Sequence, residues 1–135
     1  AEWKGNLKDG AGTLKLESGA FSGPYDFRSR FEAGAATNPE ELLGAAHAAC
    51  FTMAITAALS REQITATDIH TTATVHLVQA AGSVDITRIE LVTKAHVPGI
   101  DAAKFAQVAE GAKTNCALSK ALKAVEITLQ ATLLS

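Results

Sequence analysis

The sequence is poor in aromatic residues: Phe, Trp and Tyr make up 5% of its 135 residues, with one Trp and one Tyr. Its core must therefore be filled mainly by Ala, Leu, Ile and Val, and such small side chains suit close helix packing. Charge is also sparse, at 19% against 47% apolar residues, which excludes a disordered chain. There is no basic stripe. Lys and Arg number 12 against 14 Asp and Glu, for a net charge of −2. No nucleic acid and no anionic membrane surface is expected as a partner. The most apolar stretch, Leu42 to Leu59, is broken by His47, Thr52 and Thr56, so no membrane span is expected. No signal-peptide pattern is visible, and the expected location is cytoplasmic. Two cysteines, Cys50 and Cys116, are too few for the disulfide framework of a small secreted protein.

What remains is one domain's worth of chain, residues 1–135, large enough to hold a core without metal or disulfide. Gly5, Gly10, Gly12, Gly19 and Gly23-Pro24 punctuate a region of short strands and turns over residues 1–33. Alternation from Tyr25 to Phe31 predicts a half-buried strand with Arg28 and Arg30 on one face. Asn38-Pro39-Glu40-Glu41 predicts a helix start: an N-cap, a proline at the first position, and two acids where the macrodipole favours them. The helix is expected to run to Leu59 or Ser60 and, being apolar nearly all round, to be buried on every side. A domain this small hardly surrounds such a helix, so a second subunit is expected to cover part of it.

Two strands are predicted next, Ile69 to Gln79 and Val84 to Val97, joined by a turn at Ala80-Ala81-Gly82-Ser83. Asp101 is a good N-cap for a helix with Phe105, Val108 and Ala109 on one face, ending near Lys113-Thr114-Asn115. Cys116 opens a short helix to about Ala124. A last strand spans Glu126 to Leu133, with Ile127, Leu129 and Ala131 on one face. The expected fold class is α+β: antiparallel sheets packed on a long buried central helix.

Few residues offer chemistry. Cys50 lies about twelve residues into the long helix, beyond the reach of the helix N-terminus that lowers a thiol pKa. A cation from elsewhere is needed if it reacts. Cys116 stands at a helix start, where amide donors favour a thiolate. Arg28 and Arg30 read either as a solvated face or as guanidinium partners of a thiolate. Glu40 and Glu41 read first as ordinary first-turn acids. His47, one turn before Cys50, gives with Cys50 and Cys116 at most three zinc ligands and no fourth, so no metal is expected. His70, His76 and His96 read as surface or interface residues. Whether the two thiols meet is left open by spacing alone.

The run Asn38-Pro39-Glu40-Glu41-Leu42-Leu43-Gly44-Ala45-Ala46-His47-Ala48-Ala49-Cys50-Phe51-Thr52-Met53-Ala54 resembles the osmotically induced protein C (OsmC) family, related to the organic hydroperoxide resistance (Ohr) proteins. The likeness extends to Glu2-Trp3-Lys4-Gly5, to Phe27–Phe31 followed by Glu32, to Val97-Pro98-Gly99-Ile100-Asp101, and to Cys116 with Ser119 and Leu122-Lys123. It implies a thiol-dependent peroxidase acting on organic hydroperoxides, restored by an external dithiol reductant and using no cofactor. It also implies an intertwined homodimer with sites at the interface. By that resemblance Cys50 is the peroxidatic thiol and Cys116 the resolving one. Arg30 is the activating cation and Glu40 the acid that orients it. The first hairpin, Lys4-Gly5-Asn6-Leu7-Lys8-Asp9-Gly10, lacks the arginine of the Ohr branch, so the OsmC branch is the better match. Ala117 stands where the family often has proline after the second cysteine. The alternative is a redox-sensing or ligand-binding dimer whose thiols oxidise without turnover.

Overall fold

In a computed structural model describing Ala1–Ser135, the signal at Asn38 opens helix α1, Pro39–Arg61. Asn38 Oδ1 accepts from the Glu41 amide at 2.8 Å, satisfying one of the donors a helix start leaves free. The chain divides into two compact units, Ala1–Leu43 and Gly44–Ser135, and α1 begins in the first and continues into the second.

The first unit holds an antiparallel sheet of β1 (Glu2–Lys4), β2 (Ala11–Lys15) and β3 (Ser22–Tyr25), in that order. Trp3 and Tyr25 meet on it, ring centroids 5.6 Å apart. The strand expected from Tyr25 to Phe31 does not form. β3 stops at Tyr25, and Arg28–Arg30 is a turn of 3-10 helix. Local hydrogen bonds outcompete the ladder: Asp26 Oδ1 accepts from the Ser29 amide at 2.7 Å, and the Ser29 hydroxyl donates to the carbonyls of Asp26 and Thr37. Phe27 and Phe31 then stack edge to face. Arg28 and Arg30 consequently share no strand face.

In the second unit β4 (Asp68–Ala80) and β5 (Ser83–His96) form a long antiparallel hairpin with a bulge between His76 and Leu77. Its two-residue loop, Ala81-Gly82, has φ of 50° and 77°, a left-handed pair that matches strand twist. α2 (Ala102–Asn115) and α3 (Ala117–Ala121) follow, with Asp101 capping α2 by accepting from the Lys104 amide. Strand β6 (Glu126–Leu133) then pairs with β5 in parallel, so this sheet is mixed rather than antiparallel throughout. The helical crossover between β5 and β6 is long enough to bring the chain back in the same direction. The α+β class stands.

The core of this unit contains Ile89, Leu91 and Ala95 of β5, Phe105, Val108, Ala109 and Ala112 of α2, and Phe51, Ile55 and Leu59 of α1. Gly44 permits a close approach to β4, since a Cβ there would lie 3.2 Å from the Ala73 carbonyl oxygen. A chain of hydroxyls, Thr52 to Thr71 at 2.8 Å and Thr71 to Thr93 at 3.0 Å, ties α1 to both strands.

α1 is not buried on every side. Gly44, His47, Phe51, Ile55 and Leu59 form one buried stripe, while Ala45, Ala46, Ala49, Met53 and Ala57 are exposed. One sheet and one helix layer cover only one side of it. Its polar breaks also do not disqualify α1 by length and composition from crossing a bilayer. In this fold, however, His47 and Thr52 bond to α3 and β4.

Candidate active site

The fold brings the two cysteines together. Cys50 is half-buried in the middle of α1, and Cys116 is buried between α2 and α3. Both are free thiols, with sulfurs 3.1 Å apart. A disulfide needs roughly 2.05 Å, so closing the bond asks for a shift of about 1 Å. Cys116 is placed by a break in helical backbone: at φ −59°, ψ 136° it ends α2 and serves as N-cap of α3, without a cap hydrogen bond from its side chain.

The local field favours negative charge on Cys116. Burial pushes its thiol pKa up. The Ser119 amide, the Cys50 thiol, the Ser119 hydroxyl and the Leu118 amide outweigh that, and the pKa falls below its ordinary value.

His47 is fully buried on the core stripe of α1, and its Nε2 lies 2.8 Å from Ser119 Oγ. Its Nδ1 has no hydrogen-bond partner. Burial lowers its pKa, so the neutral ring is favoured. His47 is thus directed at Ser119, and no three His, Cys, Asp or Glu residues gather in a metal-holding arrangement. Ser119, a motif residue in the sequence, is brought against His47 only by the fold.

The other candidates meet within the first unit. Arg30 Nε and Nη2 donate to Glu40 Oε2 and Oε1 at 3.1 and 2.6 Å, a bidentate fork that fixes the guanidinium plane. Glu40 is buried, and Arg28 forms no ion pair. His76, Arg88 and Glu90 cluster beside the bulge, and His96 pairs with Asp68, so these histidines are engaged in hydrogen bonds to carboxylates on the sheet.

A close pair of free thiols on an α+β scaffold is an arrangement able to form and break a disulfide. The OsmC-like protein family model matches residues 32–130. The chain is 48% identical over 130 residues to the peroxiredoxin OsmC of Escherichia coli (strain K12), covering 96% of this chain and 90% of that protein. The Shigella flexneri peroxiredoxin OsmC matches to the same extent. In structure it is similar to the organic hydroperoxide resistance protein OhrB of Bacillus subtilis, with TM-score 0.74, 24% identity, and coverage of 96% and 94% of the two chains. This chain belongs to the OsmC-like family.

Proposed function

We propose that this protein is a cysteine-based peroxidase that reduces organic hydroperoxides to alcohols. The observation that carries the reading is the pair of free thiols 3.1 Å apart in a chain 48% identical to a peroxiredoxin. In this reading the Cys50 thiolate attacks the terminal peroxide oxygen. The O–O bond breaks, the alkoxide takes a proton and leaves as alcohol, and Cys50 becomes a sulfenic acid. Cys116 then displaces the sulfenic oxygen to form a disulfide, which guards Cys50 against further oxidation. An external dithiol restores both thiols by exchange. The two sulfurs are the redox reagents, and the cycle uses no resident cofactor.

Arg30 is the proposed activating cation and Glu40 its holder. A guanidinium held in a fork keeps its charge and plane fixed, which suits both a thiolate and a peroxide oxygen. Glu40 and Cys50 lie ten residues apart on α1, roughly 15 Å of axial rise. A homodimer with α1 helices antiparallel across the two-fold, each site drawing Glu40 and Arg30 from one subunit and both cysteines from the other, resolves that separation. The exposed face at Ala45, Ala46, Ala49 and Met53 supports this reading, because small side chains allow close helix approach. A reducing cytoplasm suits the dithiol cycle.

Consumption of an alkyl hydroperoxide with added dithiol, followed by intact mass, tests the reading. Catalytic consumption with a disulfide-mass intermediate is the expected outcome. Stoichiometric oxidation without turnover marks a sensor instead.

A further inference from the structure

His47 and Ser119 stand outside the roles just given, and both are buried. A buried polar side chain needs a partner, and each is the other's: His47 Nε2 and Ser119 Oγ are 2.8 Å apart. His47 Nδ1 has no hydrogen-bond partner. That asymmetry selects a tautomer. A proton on Nδ1 would bury an N–H without an acceptor, whereas a proton on Nε2 leaves over only a lone pair, the less costly vacancy. His47 therefore donates to Ser119 Oγ.

The place of this bond in the fold gives it a use. His47 precedes Cys50 by three residues on α1, and Ser119, on α3, follows Cys116 by three. Each polar residue is thus about one helical turn from a cysteine. α3 has five residues, too few to hold a helix without tertiary support. Two hydrogen bonds join α1 to the Cys116–Ala121 segment: the one between the thiols and the one between His47 and Ser119. The first is made by the reacting atoms and is lost when either sulfur reacts. The second involves neither sulfur.

We propose that His47 and Ser119 are positioning residues for disulfide formation: their hydrogen bond staples α1 to α3 and holds the Cys50 and Cys116 sulfurs 3.1 Å apart. Its use in a resolving step rests on the peroxidase reading; its effect on the thiol pair does not. Ordering the sulfurs in the reduced protein removes much of the entropic cost of closing the bond, so each thiol meets the other at a high effective concentration. A contact that supports the reduced and oxidised folds equally cancels from the thiol–disulfide equilibrium. Only a contact coupled to closure of the pair moves it.

The test is that equilibrium against glutathione, without peroxide. The reaction balances: the two protein thiols give up two electrons and two protons, and the Cys50–Cys116 S–S bond forms. The S–S bond of oxidised glutathione breaks, and its two thiols take up those electrons and protons. Protein thiols are trapped with N-ethylmaleimide and counted by intact mass across a series of glutathione ratios. Ser119→Ala and His47→Leu are each expected to lower the effective concentration about tenfold, raising the reduction potential of the pair by about 30 mV. The double variant is expected to lose no more than either single one, since both remove the same bond. His47→Gln, whose amide N–H can replace Nε2–H, is expected to restore the parent value. An unchanged equilibrium in Ser119→Ala overturns the proposal even if His47→Leu fails to fold, and even if urea stability falls, because the contact would then be purely structural. Losses that multiply in the double variant overturn it too, because the two side chains would be acting separately. So does a folded His47→Gln shifted as far as His47→Leu, or a parent protein that forms no Cys50–Cys116 disulfide. Hydroperoxide turnover of the unsubstituted protein is scored separately, so its absence beside a shifted Ser119→Ala equilibrium defeats the peroxidase reading alone.

Discussion

At the scale of single residues, the two thiols have different surroundings and so different expected fates. Cys50→Ser is expected to abolish hydroperoxide turnover. Cys116→Ser is expected to allow one oxidation of Cys50 and then, with excess hydroperoxide, sulfinic and sulfonic products visible by intact mass. Equal steady-state turnover in Cys50→Ser and the unsubstituted protein would contradict the assignment. The arginines are expected to separate as clearly. Arg30 is locked on Glu40 by two hydrogen bonds and Arg28 has no carboxylate partner. Arg30→Ala is expected to lower the peroxidase rate more than tenfold, ~1.4 kcal/mol or more of barrier, and Arg28→Ala much less. His47 carries a stability signature of its own. Its folded pKa is lowered by burial, so the unfolded chain binds the proton more readily. Its contribution is therefore complete above the unfolded value, about pH 6.5, and is lost as pH falls toward the folded value. Urea unfolding between pH 7 and 5 is expected to show this loss, and His47→Gln is expected to remove that part of the slope.

At the scale of elements, the legible parts were those with local chemistry. Asn38, Pro39 and Asp101 marked helix starts because caps act through neighbouring amides. The β4–β5 turn was marked by its Gly, and the strands by their β-branched residues. Three things were not legible. The 3-10 turn at Arg28–Arg30 depends on the Asp26 and Ser29 side chains bonding to backbone, which period-2 alternation does not register. The parallel setting of β6 depends on where α2 and α3 return the chain. The one-sided burial of α1 depends on how many layers one chain supplies, whereas composition sees only an apolar helix. Of the site, residue types were readable, but the meeting of Cys50 with Cys116 and of His47 with Ser119 spans 66 and 72 residues of sequence. The hairpin loop holds a testable cost. Ala81 has φ 50° without being glycine, a conformation that costs an L-residue roughly 1–2 kcal/mol. Ala81→Asn is expected to stabilise the protein by about 0.5–1 kcal/mol, since Asn-Gly is the preferred pair for such a loop. Thermal melts of the two proteins check it, and a lower midpoint for Ala81→Asn would count against the turn geometry.

At the scale of the whole molecule, the open question is how many chains make one site. α1 is the ruler: Glu40 stands in its first turn and Cys50 near its middle, about 15 Å further along the axis. A glutamate side chain is far shorter than that. An antiparallel pair of α1 helices places the first turn of one beside the middle of the other, and the alanine face permits the approach. In the proposed dimer each site would combine Arg30 and Glu40 of one subunit with Cys50 and Cys116 of its partner. The alternative is that the arginine of the same subunit reaches its own Cys50. Mixed refolding separates them. Glu40→Ala and Cys50→Ser proteins, each expected to be inactive alone, are unfolded together and refolded. In a composite dimer, half of the molecules are heterodimers at random pairing, and each has one site carrying both substitutions and one carrying neither. Peroxidase activity is then expected to return to about one quarter of the unsubstituted level, a statistical figure that assumes independent sites and equal mixing. If every site is built within one subunit, each retains a defect and the refolded mixture stays inactive.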